Sequence, residues 1–379
     1  MKKSITYQIV AIIVTVVFIT SCKKNGPPIC RGDEDSTVAT IKVFSTGFNN
    51  PRGLKFGPDG NLYVAEAGVG GTNITTKCTQ VIPPVGPYTG SDTGSRISRV
   101  DWHGVRTTLV DHLPSSMASP NVGGDIEGVS DVAFVGFTMY GLLAGAGCSH
   151  GVPNIPNGVF RVNPDRSWTL INNLSEFFMN NPVQNPNPGD FEPDGTPYSM
   201  INIGANLFVL EPNHGELDKI SPNGSISRVV DISASQGHIV PTCMVRHHGN
   251  FYVGNLAPFP IQNKSNIYEI TPQGDVKVFV SGFSTVLGVT FDNHGRLYVL
   301  ENTTGNPFPT PGTGDIVRID KDGNREIIAS GLSLPTAMTF GPDGRLYVSN
   351  WGFGPTAIGG GEILQITFNC EEVQGDIDN

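Results

Sequence analysis

The stretch GPDGNLYVAE at residues 57–66 decides the fold, because the chain repeats it. Close copies are DNHGRLYVLE at 292–301 and GPDGRLYVSN at 341–350, and shorter ones are ANLFVLE at 205–211 and GNFYVGN at 249–255. The longer copies are typical of a Gly-containing turn followed by a short apolar strand. A phrase that returns along one chain indicates an internal repeat, so the repeat unit has to be defined first.

Each copy belongs to a unit of four short strands. Residues 285–332, for example, contain VLGVTF, a DNHG turn, RLYVLE, a loop, DIVRID, a KDG turn and NREIIASGL. Four short strands that recur about every 45 to 50 residues are typical of propeller blades. We count six units, which begin near Pro51, Glu127, Pro197, Pro241, Thr285 and Pro335. The sequence therefore predicts an all-β fold, a six-bladed β-propeller.

The last unit lacks a fourth strand, and the N-terminal segment resembles the missing strand. Unit six ends with EILQITF at 362–368, whereas IKVFSTGF at 41–48 matches VKVFVSGF at 276–283, the fourth strand of another unit. We expect the N-terminal strand to complete the last blade and close the ring, which removes an exposed sheet edge. The propeller is thus expected over residues 39–368, followed by a C-terminal tail at 369–379.

The N-terminus is typical of a bacterial lipoprotein signal. Lys2 and Lys3 precede a short apolar run, and small residues lead to Cys22. The run is too short for a membrane span, so we expect a signal peptide at 1–21, lipid attachment at Cys22 and a flexible tether over 22–38. The lipid is the only membrane contact expected. The expected location is the outer membrane or the cell surface, on the periplasmic or extracellular side.

The charge and the cysteines narrow the possible partners. The formal net charge is −10 at pH 7, which argues against nucleic acid as a partner, and we expect a monomer. Because an exported chain meets an oxidising compartment, Cys30 could pair with Cys370 and Cys78 with Cys148. Cys243 begins an apolar strand and is expected to be a buried, inert thiol.

The long loops are expected on one face of the propeller. In a blade, the loop from the second to the third strand and the connection to the next blade share a face. The long segments of these two kinds lie at 67–96, 147–157, 173–196, 256–265, 302–314 and 351–361. Long loops gathered at one end of a rigid scaffold usually form a binding site.

The last residue of the repeated phrase marks the point where the second strand reaches this face. In five blades it is a carboxylate or an amide: Glu66, Glu211, Asn255, Glu301 and Asn350. Blade two has Ala146 there. These side chains could line a ligand pocket, or they could accept backbone N–H bonds that fasten neighbouring loops. The sequence leaves both interpretations open.

Five further residues are expected near this ring: Arg52, Glu127, Asp131, His214 and His238. Together the ten residues form the predicted ligand site. Its carboxylates Glu66, Glu211 and Glu301 are candidate ligands of a divalent cation, Ca²⁺ or Mg²⁺, because a buried carboxylate cluster is costly unless a cation or donors meet it.

Several phrases are more specific than the general repeat. They are PRGLKFGPDGNLYVAEAG, SDVAFVGF, NGVFRVNPD, DFEPDGTPYSM, LEPNHGELDKIS, GHIVPT and FYVGNLAPFPI. Over residues 39–368 the chain resembles the ScyD/ScyE family, propeller proteins associated with the scytonemin sunscreen-pigment pathway. The resemblance implies an exported six-bladed propeller and no defined set of catalytic residues.

More distantly, the repeats resemble NHL propellers, gluconolactonases and streptogramin lyases. The gluconolactonase resemblance implies a divalent metal held just before the innermost strands. In this chain those positions are Arg52, Glu127 or Ser130, Tyr198, Thr242, Leu287 and Thr336. Only Glu127 among them could be a metal ligand. The streptogramin lyase resemblance implies instead that Glu211 and Glu301 hold Mg²⁺, with His214 or His238 as the base of an elimination.

Three hypotheses for the function follow. The first is a lipid-anchored envelope propeller that binds a small molecule or an envelope protein and is not an enzyme. The alternative is a metal-dependent lyase or lactonase acting on a lactone-like substrate. The third is a protein scaffold with Phe259, Phe308, Trp351 and Phe353 as contacts. The sequence has no nucleophile elbow, phosphate-binding loop, CxxC pair or HExxH helix, which argues against redox, nucleotide and zinc-peptidase chemistry.

Overall fold

The computed structural model describes residues 39–120, 125–256, 263–305, 308–354 and 358–368. The predicted signal peptide, the tether, the C-terminal tail, Cys22, Cys30, Cys370 and Phe259 lie outside the described residues. The described part forms six antiparallel β-sheets, which confirms the predicted six-bladed β-propeller. Within it, no helix has the length and apolar character needed to cross a membrane.

The strands follow the repeat. Strand β1 (Ala39–Phe48) belongs to the last blade. Blade one contains β2 (Pro51–Phe56), β3 (Leu62–Glu66), β4 (Thr89–Val100), β5 (Arg106–Met117) and the added edge strand β6 (Ile126–Glu127). Blade two contains β7 (Val129–Val135), β8 (Thr138–Leu143), β9 (Gly158–Val162) and β10 (Trp168–Leu170). Blade three contains β11 (Ser199–Ile203), β12 (Asn206–Glu211), β13 (Glu216–Ile220) and β14 (Ile226–Asp231).

The second half of the ring repeats the same order. Blade four contains β15 (Pro241–His247), β16 (Asn250–Asn255), β17 (Ser265–Ile270) and β18 (Val276–Phe283). Blade five contains β19 (Val286–Phe291), β20 (Leu297–Glu301), β21 (Gly314–Ile319) and β22 (Arg325–Leu332). Blade six contains β23 (Ala337–Phe340), β24 (Leu346–Asn350) and β25 (Gly361–Phe368), completed by β1. The helical segments are short: a 3-10 helix at Cys148–His150, α1 (Leu174–Asn180) and α2 (Ser233–Gln236).

The N-terminal strand closes the ring. Strand β1 pairs antiparallel with β25, with Ile41 opposite Ile366 and Val43 opposite Leu364. The first strands of the blades contact one another in the order β2, β7, β11, β15, β19 and β23, and β23 contacts β2 again. The predicted closure is therefore confirmed, and it pairs an edge that would otherwise be free to bind another strand.

The residues of the repeated phrase recur because they form a hydrogen-bonded turn. In blade one, Asp59 Oδ1 accepts a hydrogen bond from Asn61 N at 3.1 Å, and Tyr63 donates its hydroxyl proton to Asp59 Oδ2 at 2.9 Å. Gly60 has φ of 77°, in the left-handed region that favours glycine. Blade six repeats the bond from tyrosine to aspartate with Tyr347 and Asp343. Aspartate, glycine and tyrosine thus fix one turn geometry in each of these copies.

Apolar clusters between neighbouring blades form the core. The cluster between blades five and six includes Leu300, Ile316, Met338, Val348 and Leu364, all buried. One blade cannot bury both faces of its sheet alone, so stacking in a ring supplies the missing contacts.

Candidate functional site

A cavity of about 360 Å³ lies where the propeller axis meets the face with the long loops. Its floor contains Arg52, Ser130, Tyr198 and Thr242, which stand just before or at the start of the first strands of blades one to four. The axis then narrows to a space of about 40 Å³ between the first strands. The cavity is thus a blind pocket of the volume that small-molecule sites usually have.

Hydroxyl groups at the axis join neighbouring blades. In blades two, four and six, a Ser or Thr at the start of the first strand donates to a carbonyl of the next blade. The pairs are Ser130 to Pro197 at 2.8 Å, Thr242 to Val286 at 2.5 Å and Thr336 to Pro51 at 2.6 Å. Three of the positions that hold the metal in the gluconolactonase resemblance therefore make contacts between blades in this chain.

Three side chains that line one side of the cavity meet a fourth, fully buried one, His150, beside it. Tyr88 precedes β4, Glu127 ends β6, His150 ends the 3-10 helix and Glu192 lies between α1 and β11. The Tyr88 hydroxyl lies 3.0 Å from Glu127 Oε1 and 3.1 Å from Glu192 Oε1. His150 Nε2 lies 3.0 Å from Glu127 Oε2 and 3.5 Å from Glu192 Oε2. We call these four residues the Glu127 cluster.

The Glu127 cluster has strongly perturbed acid–base properties. Burial, together with the charge of Glu127, raises the pKa of Glu192 to about 8. Burial alone would lower the pKa of His150, but the carboxylates of Glu127 and Glu192 outweigh it and raise this pKa to about 10. Burial and the same two carboxylates hold the pKa of the Tyr88 hydroxyl well above its usual value. Such perturbation in a cavity is typical of functional sites.

Three atoms of the cluster converge, and His150 Nε2 lies at ion-pair distance from both carboxylates. Glu127 Oε2, His150 Nε2 and Glu192 Oε2 are buried and have no hydrogen-bond partner, although they lie within 4.8 Å of one another. Ligands of one cation with bonds of about 2.1 Å stand roughly 3.0 to 3.4 Å apart. Two carboxylates and an imidazole suit Zn²⁺ or Mn²⁺ better than Ca²⁺ or Mg²⁺, which prefer oxygen ligands. These residues therefore fit a divalent cation.

The turn that carries His150 is fastened to the connection that carries Glu192. Ser149 donates from its backbone N and its hydroxyl to Asp194 Oδ2 at 2.7 and 2.6 Å. Gly147 has φ of 100°, and a Cβ there would lie 2.3 Å from the Asp194 carboxyl carbon, so only glycine fits. The two segments are thus held in register beside the cavity.

A disulfide bond between Cys78 and Cys148 fastens the opposite side of the same turn. It joins the long loop of blade one to the helix of His150, and Tyr88 lies at the end of that loop. Cys243 is a free, buried cysteine in β15.

A buried ion pair forms another part of the cavity surface. Arg52 is 2% exposed and donates to Asp125 Oδ1 and, at 3.0 Å, to the Tyr198 hydroxyl. Burial raises the pKa of Asp125 to about 6, although the guanidinium of Arg52 partly offsets this shift. Burial also raises the pKa of Tyr198 to about 12. Phe353 lies against the same guanidinium, 5.8 Å from the ring centre.

A histidine–carboxylate pair also lines the cavity. His238 Nε2 lies 2.9 Å from Asp190 Oδ2, and both residues contact the space. If Nε2 carries the proton donated to Asp190, Nδ1 is the nitrogen that can accept a proton. This pair has the arrangement of a general base.

The structure brings three of the ten predicted site residues to the cavity: Arg52, Glu127 and His238. The other seven are buried beside it and do not line it: Glu66, Asp131, Glu211, His214, Asn255, Glu301 and Asn350. Among the described residues, no group able to bind one ion contains two of the metal candidates Glu66, Glu211 and Glu301. The predicted ring around the cavity is therefore not formed.

The strand-end residues fasten the connection that precedes each blade. The pairs are Glu66 Oε2 with Asn49 N at 2.7 Å, Glu211 Oε1 with Thr196 N at 2.8 Å, Glu301 Oε1 with Ser284 N at 2.5 Å and Asn350 Oδ1 with Ser333 N at 2.9 Å. Asn255 instead donates to Ile239 O at 2.7 Å. Blade two uses Asn157, which accepts from Ala146 N at 2.8 Å. Of the two interpretations that the sequence left open, hydrogen bonding to the backbone of neighbouring loops thus accounts for these side chains.

The remaining two predicted residues also make structural contacts. Asp131 Oδ2 accepts from Met200 N of the next blade at 2.8 Å. His214 Nε2 lies 2.9 Å from the carbonyl oxygen of Glu192. His214 therefore holds the backbone of Glu192, a residue that lines the cavity.

Sequence reasoning missed Tyr88, Asp125, His150, Asp190 and Glu192. Four of them, Tyr88, His150, Asp190 and Glu192, lie in the long loops and connections that the sequence assigned to this face, whereas Asp125 lies between β5 and β6. Acidic and histidine side chains inside those segments were the sequence feature that could have indicated the site. The prediction relied instead on the residues at the ends of the second strands.

No family model and no curated protein matches the chain. A Bacteroides thetaiotaomicron protein of unknown function is 12% identical, with 88% of this chain and 77% of that one covered and a TM-score of 0.56. A gluconolactonase from Xanthomonas campestris is 12% identical, with 88% and 91% covered and a TM-score of 0.53. A family AA12 carbohydrate-active enzyme from Trichoderma reesei is 12% identical, with 90% and 98% covered and a TM-score of 0.51.

At such low identity these likenesses show the propeller fold alone. The fold is shared with a gluconolactonase, in line with the more distant resemblance in the sequence. The ScyD/ScyE resemblance stays a prediction.

Proposed function

We propose that the protein is an exported, lipid-anchored propeller of the ScyD/ScyE type that binds a small ligand in the axial cavity. The observation that carries the proposal is the convergence of the Glu127 cluster, the Arg52 ion pair and the His238–Asp190 pair on one blind pocket. Buried charged groups are costly, and perturbed acids and bases gathered in a cavity are typical of functional sites.

The cavity surface limits the chemistry of the ligand. It combines apolar side chains, such as Val85, Leu256 and Phe353, with the polar groups at one side and at the floor. A ligand that suits it is small and neutral or anionic, with a ring or alkyl part and at least one hydroxyl, carbonyl or carboxylate group. A divalent cation held by Glu127, His150 and Glu192 would supply a positive centre for that oxygen.

Binding is tested with the purified mature chain freed of metal by chelation. Mn²⁺ or Zn²⁺ is added, followed by a panel of sugar lactones, hydroxy acids and phenolic compounds, and binding is followed by calorimetry. We expect binding to the wild type and to Glu269→Gln, since Glu269 pairs with Lys277 away from the cavity. Glu127→Gln should weaken metal binding about 10- to 100-fold. Equal binding by all three proteins would refute the proposed site.

The lipid anchor is a separate part of the proposal. Full-length protein made in a bacterial host should enter the detergent phase in a phase-separation assay. The Cys22→Ala variant should remain in the aqueous phase, and recovery of both forms in the aqueous phase would contradict the anchor.

The His238–Asp190 pair favours a second candidate function, a metal-dependent lactonase or lyase. A divalent cation bound to the Glu127 cluster would polarise the carbonyl of a lactone-like substrate. His238 Nδ1 would take a proton from water, or from the carbon next to the carbonyl, and Asp190 would orient the imidazole. This candidate keeps His238, one of the two bases of the sequence hypothesis, and moves the proposed metal from Glu211 and Glu301 to the Glu127 cluster.

The enzyme hypothesis is tested by turnover of lactones under metal-loaded conditions. His238→Asn should lower kcat at least about 100-fold with little effect on metal binding. The matched control is His103→Asn, because His103 stands in an exposed turn between β4 and β5. Absence of turnover with every lactone, or full activity in His238→Asn, would leave ligand binding as the function.

A further inference from the structure

A second group of potential metal ligands lies behind the cavity, inside blade three. Glu211 ends β12, His214 lies in the turn after it and Glu216 begins β13. One ligand atom from each of the three lies within 4.8 Å of the others. All three residues are buried, between 0% and 3% exposed, and none of them lines the cavity.

The hydrogen bonding of His214 shows which ring nitrogen faces the group. Nε2 lies 2.9 Å from the carbonyl oxygen of Glu192, and a carbonyl only accepts, so Nε2 carries a proton. Nδ1 faces Glu216 Oε1 at 3.7 Å, which is too long for a hydrogen bond. Phe191 stacks on the ring at 5.1 Å and fixes its orientation. His214 Nδ1 and a carboxylate oxygen of Glu216 thus face each other without a hydrogen bond between them.

The buried charges of this region do not balance. Glu211, Glu216 and Asp218 are each 0% exposed, and Arg228 is the cation that pairs with Glu216. Glu216 Oε1 and both carboxyl oxygens of Asp218 have no hydrogen-bond partner. Glu211 accepts backbone N–H bonds from Thr196, Asn213 and His214, so the unsatisfied carboxyl oxygens are those of Glu216 and Asp218. Buried unpaired charge of this kind is strongly unfavourable.

We infer that His214 Nδ1, Glu216 and Glu211 bind a divalent cation at a closed, structural site in blade three. The gap of 3.7 Å between Nδ1 and Glu216 Oε1 would have to close by about 0.3 Å for both atoms to bind one ion through bonds of about 2.1 Å. An imidazole with two carboxylates selects Zn²⁺ or Mn²⁺ over Mg²⁺ and Ca²⁺. His214 has the arrangement typical of a metal ligand, since its second ring nitrogen donates to a backbone carbonyl.

The site would position the cavity. The turn that contains it holds the backbone of Glu192 on both sides, because Asn213 Oδ1 accepts from Glu192 N at 2.8 Å and His214 Nε2 donates to Glu192 O. The bound ion would fix this turn and with it the Glu192 side chain of the Glu127 cluster. His214, Glu211 and Glu216 are therefore positioning residues, which contact no ligand in the cavity.

The experiment measures metal content and thermal stability of the folded protein, so it needs no ligand and no activity. Glu192→Gln disables the cavity cluster and leaves the site in blade three intact. After chelation and reloading with Zn²⁺ or Mn²⁺, this variant should retain one ion per chain by mass spectrometry of the metal. Its Tm should rise by about 5 °C at a metal concentration of about 100 Kd.

The His214→Gln variant disables the site in blade three and keeps the Glu127 cluster. It should lose the ion of blade three and the associated rise in Tm, while Glu127, His150 and Glu192 still bind metal with an affinity lowered about 10-fold or less. A Glu192→Gln protein without bound metal and without a change in Tm would overturn this inference. That result would not bear on metal binding at the Glu127 cluster, which is tested separately in the wild type. Failure of this inference and failure of the proposed function are therefore distinguishable.

Discussion

The pair Glu301 and Asp315 in blade five makes stability depend on pH. The two residues stand opposite each other in β20 and β21, and they are 7% and 9% exposed. Burial and the neighbouring Asp315 raise the pKa of Glu301 from 4.5 to about 8. Between these pH values the folded chain keeps a proton that the unfolded chain has released. The free energy of unfolding must therefore fall as the pH rises through this window.

The magnitude follows from the shift. Each pKa unit corresponds to about 1.4 kcal/mol, so the full shift would cost at most about 5 kcal/mol by pH 8 to 9. Relaxation and partial access of water reduce such costs, and we expect about 2 kcal/mol. Glu301→Gln cannot ionise, keeps the acceptor for Ser284 N and can donate to the unpartnered Asp315 Oδ1. Blade six already has this arrangement, in which Asn350 donates to Glu362 at 2.8 Å.

The assay is urea unfolding followed by tryptophan fluorescence at pH 5 and at pH 8.5. Glu301→Gln should match the wild type at pH 5 and exceed its stability by about 2 kcal/mol at pH 8.5. The control is Glu66→Gln, because Glu66 pairs with Arg96 at 2.8 Å and its charge is satisfied. This control should be destabilised at both pH values. A difference between wild type and Glu301→Gln that does not change with pH would refute the reasoning.

Three further predictions concern the cavity surface and the ring. Replacing both Cys78 and Cys148 by serine should lower the free energy of unfolding by about 2 to 4 kcal/mol, and equal urea midpoints with and without the bond would contradict this. Arg52→Ala leaves the partly buried Asp125 without its cation and should cost about 3 kcal/mol, so a loss below about 1 kcal/mol would show that the pair is not needed. Deleting residues 39–48 should expose β25 and cause association in size-exclusion chromatography, whereas a stable monomer would argue against closure by β1.

The fold could be predicted because its information is local and repeated. Asp59, Gly60 and Tyr63 together fix one turn, and the same three residue types at the same spacing fix it again at 343–347. The closing strand was predictable for a similar reason, since residues 41–48 match a fourth strand elsewhere in the chain. A sequence pattern whose contacts all lie within one blade can be recognised without knowing how the blades are arranged in the ring.

The candidate site could be predicted only in part, because its residues meet through the ring. Glu127, His150 and Glu192 come from three segments without a common spacing, and only the tertiary structure brings their side chains together. The strand-end residues such as Glu66 and Glu301 did have a common spacing. A carboxylate at such a position can accept a backbone N–H or face a ligand, and the direction of the side chain, which decides between them, is not encoded in the repeat.

The most direct test of the central claim is a crystal structure of the metal-free protein soaked in Mn²⁺, measured with anomalous scattering. The account predicts an anomalous peak about 2.0 to 2.3 Å from Glu127 Oε2, His150 Nε2 and Glu192 Oε2, at the side of the axial cavity. A map with no peak there, with the His150 imidazole hydrogen-bonded directly to one of the two carboxylates, would contradict it.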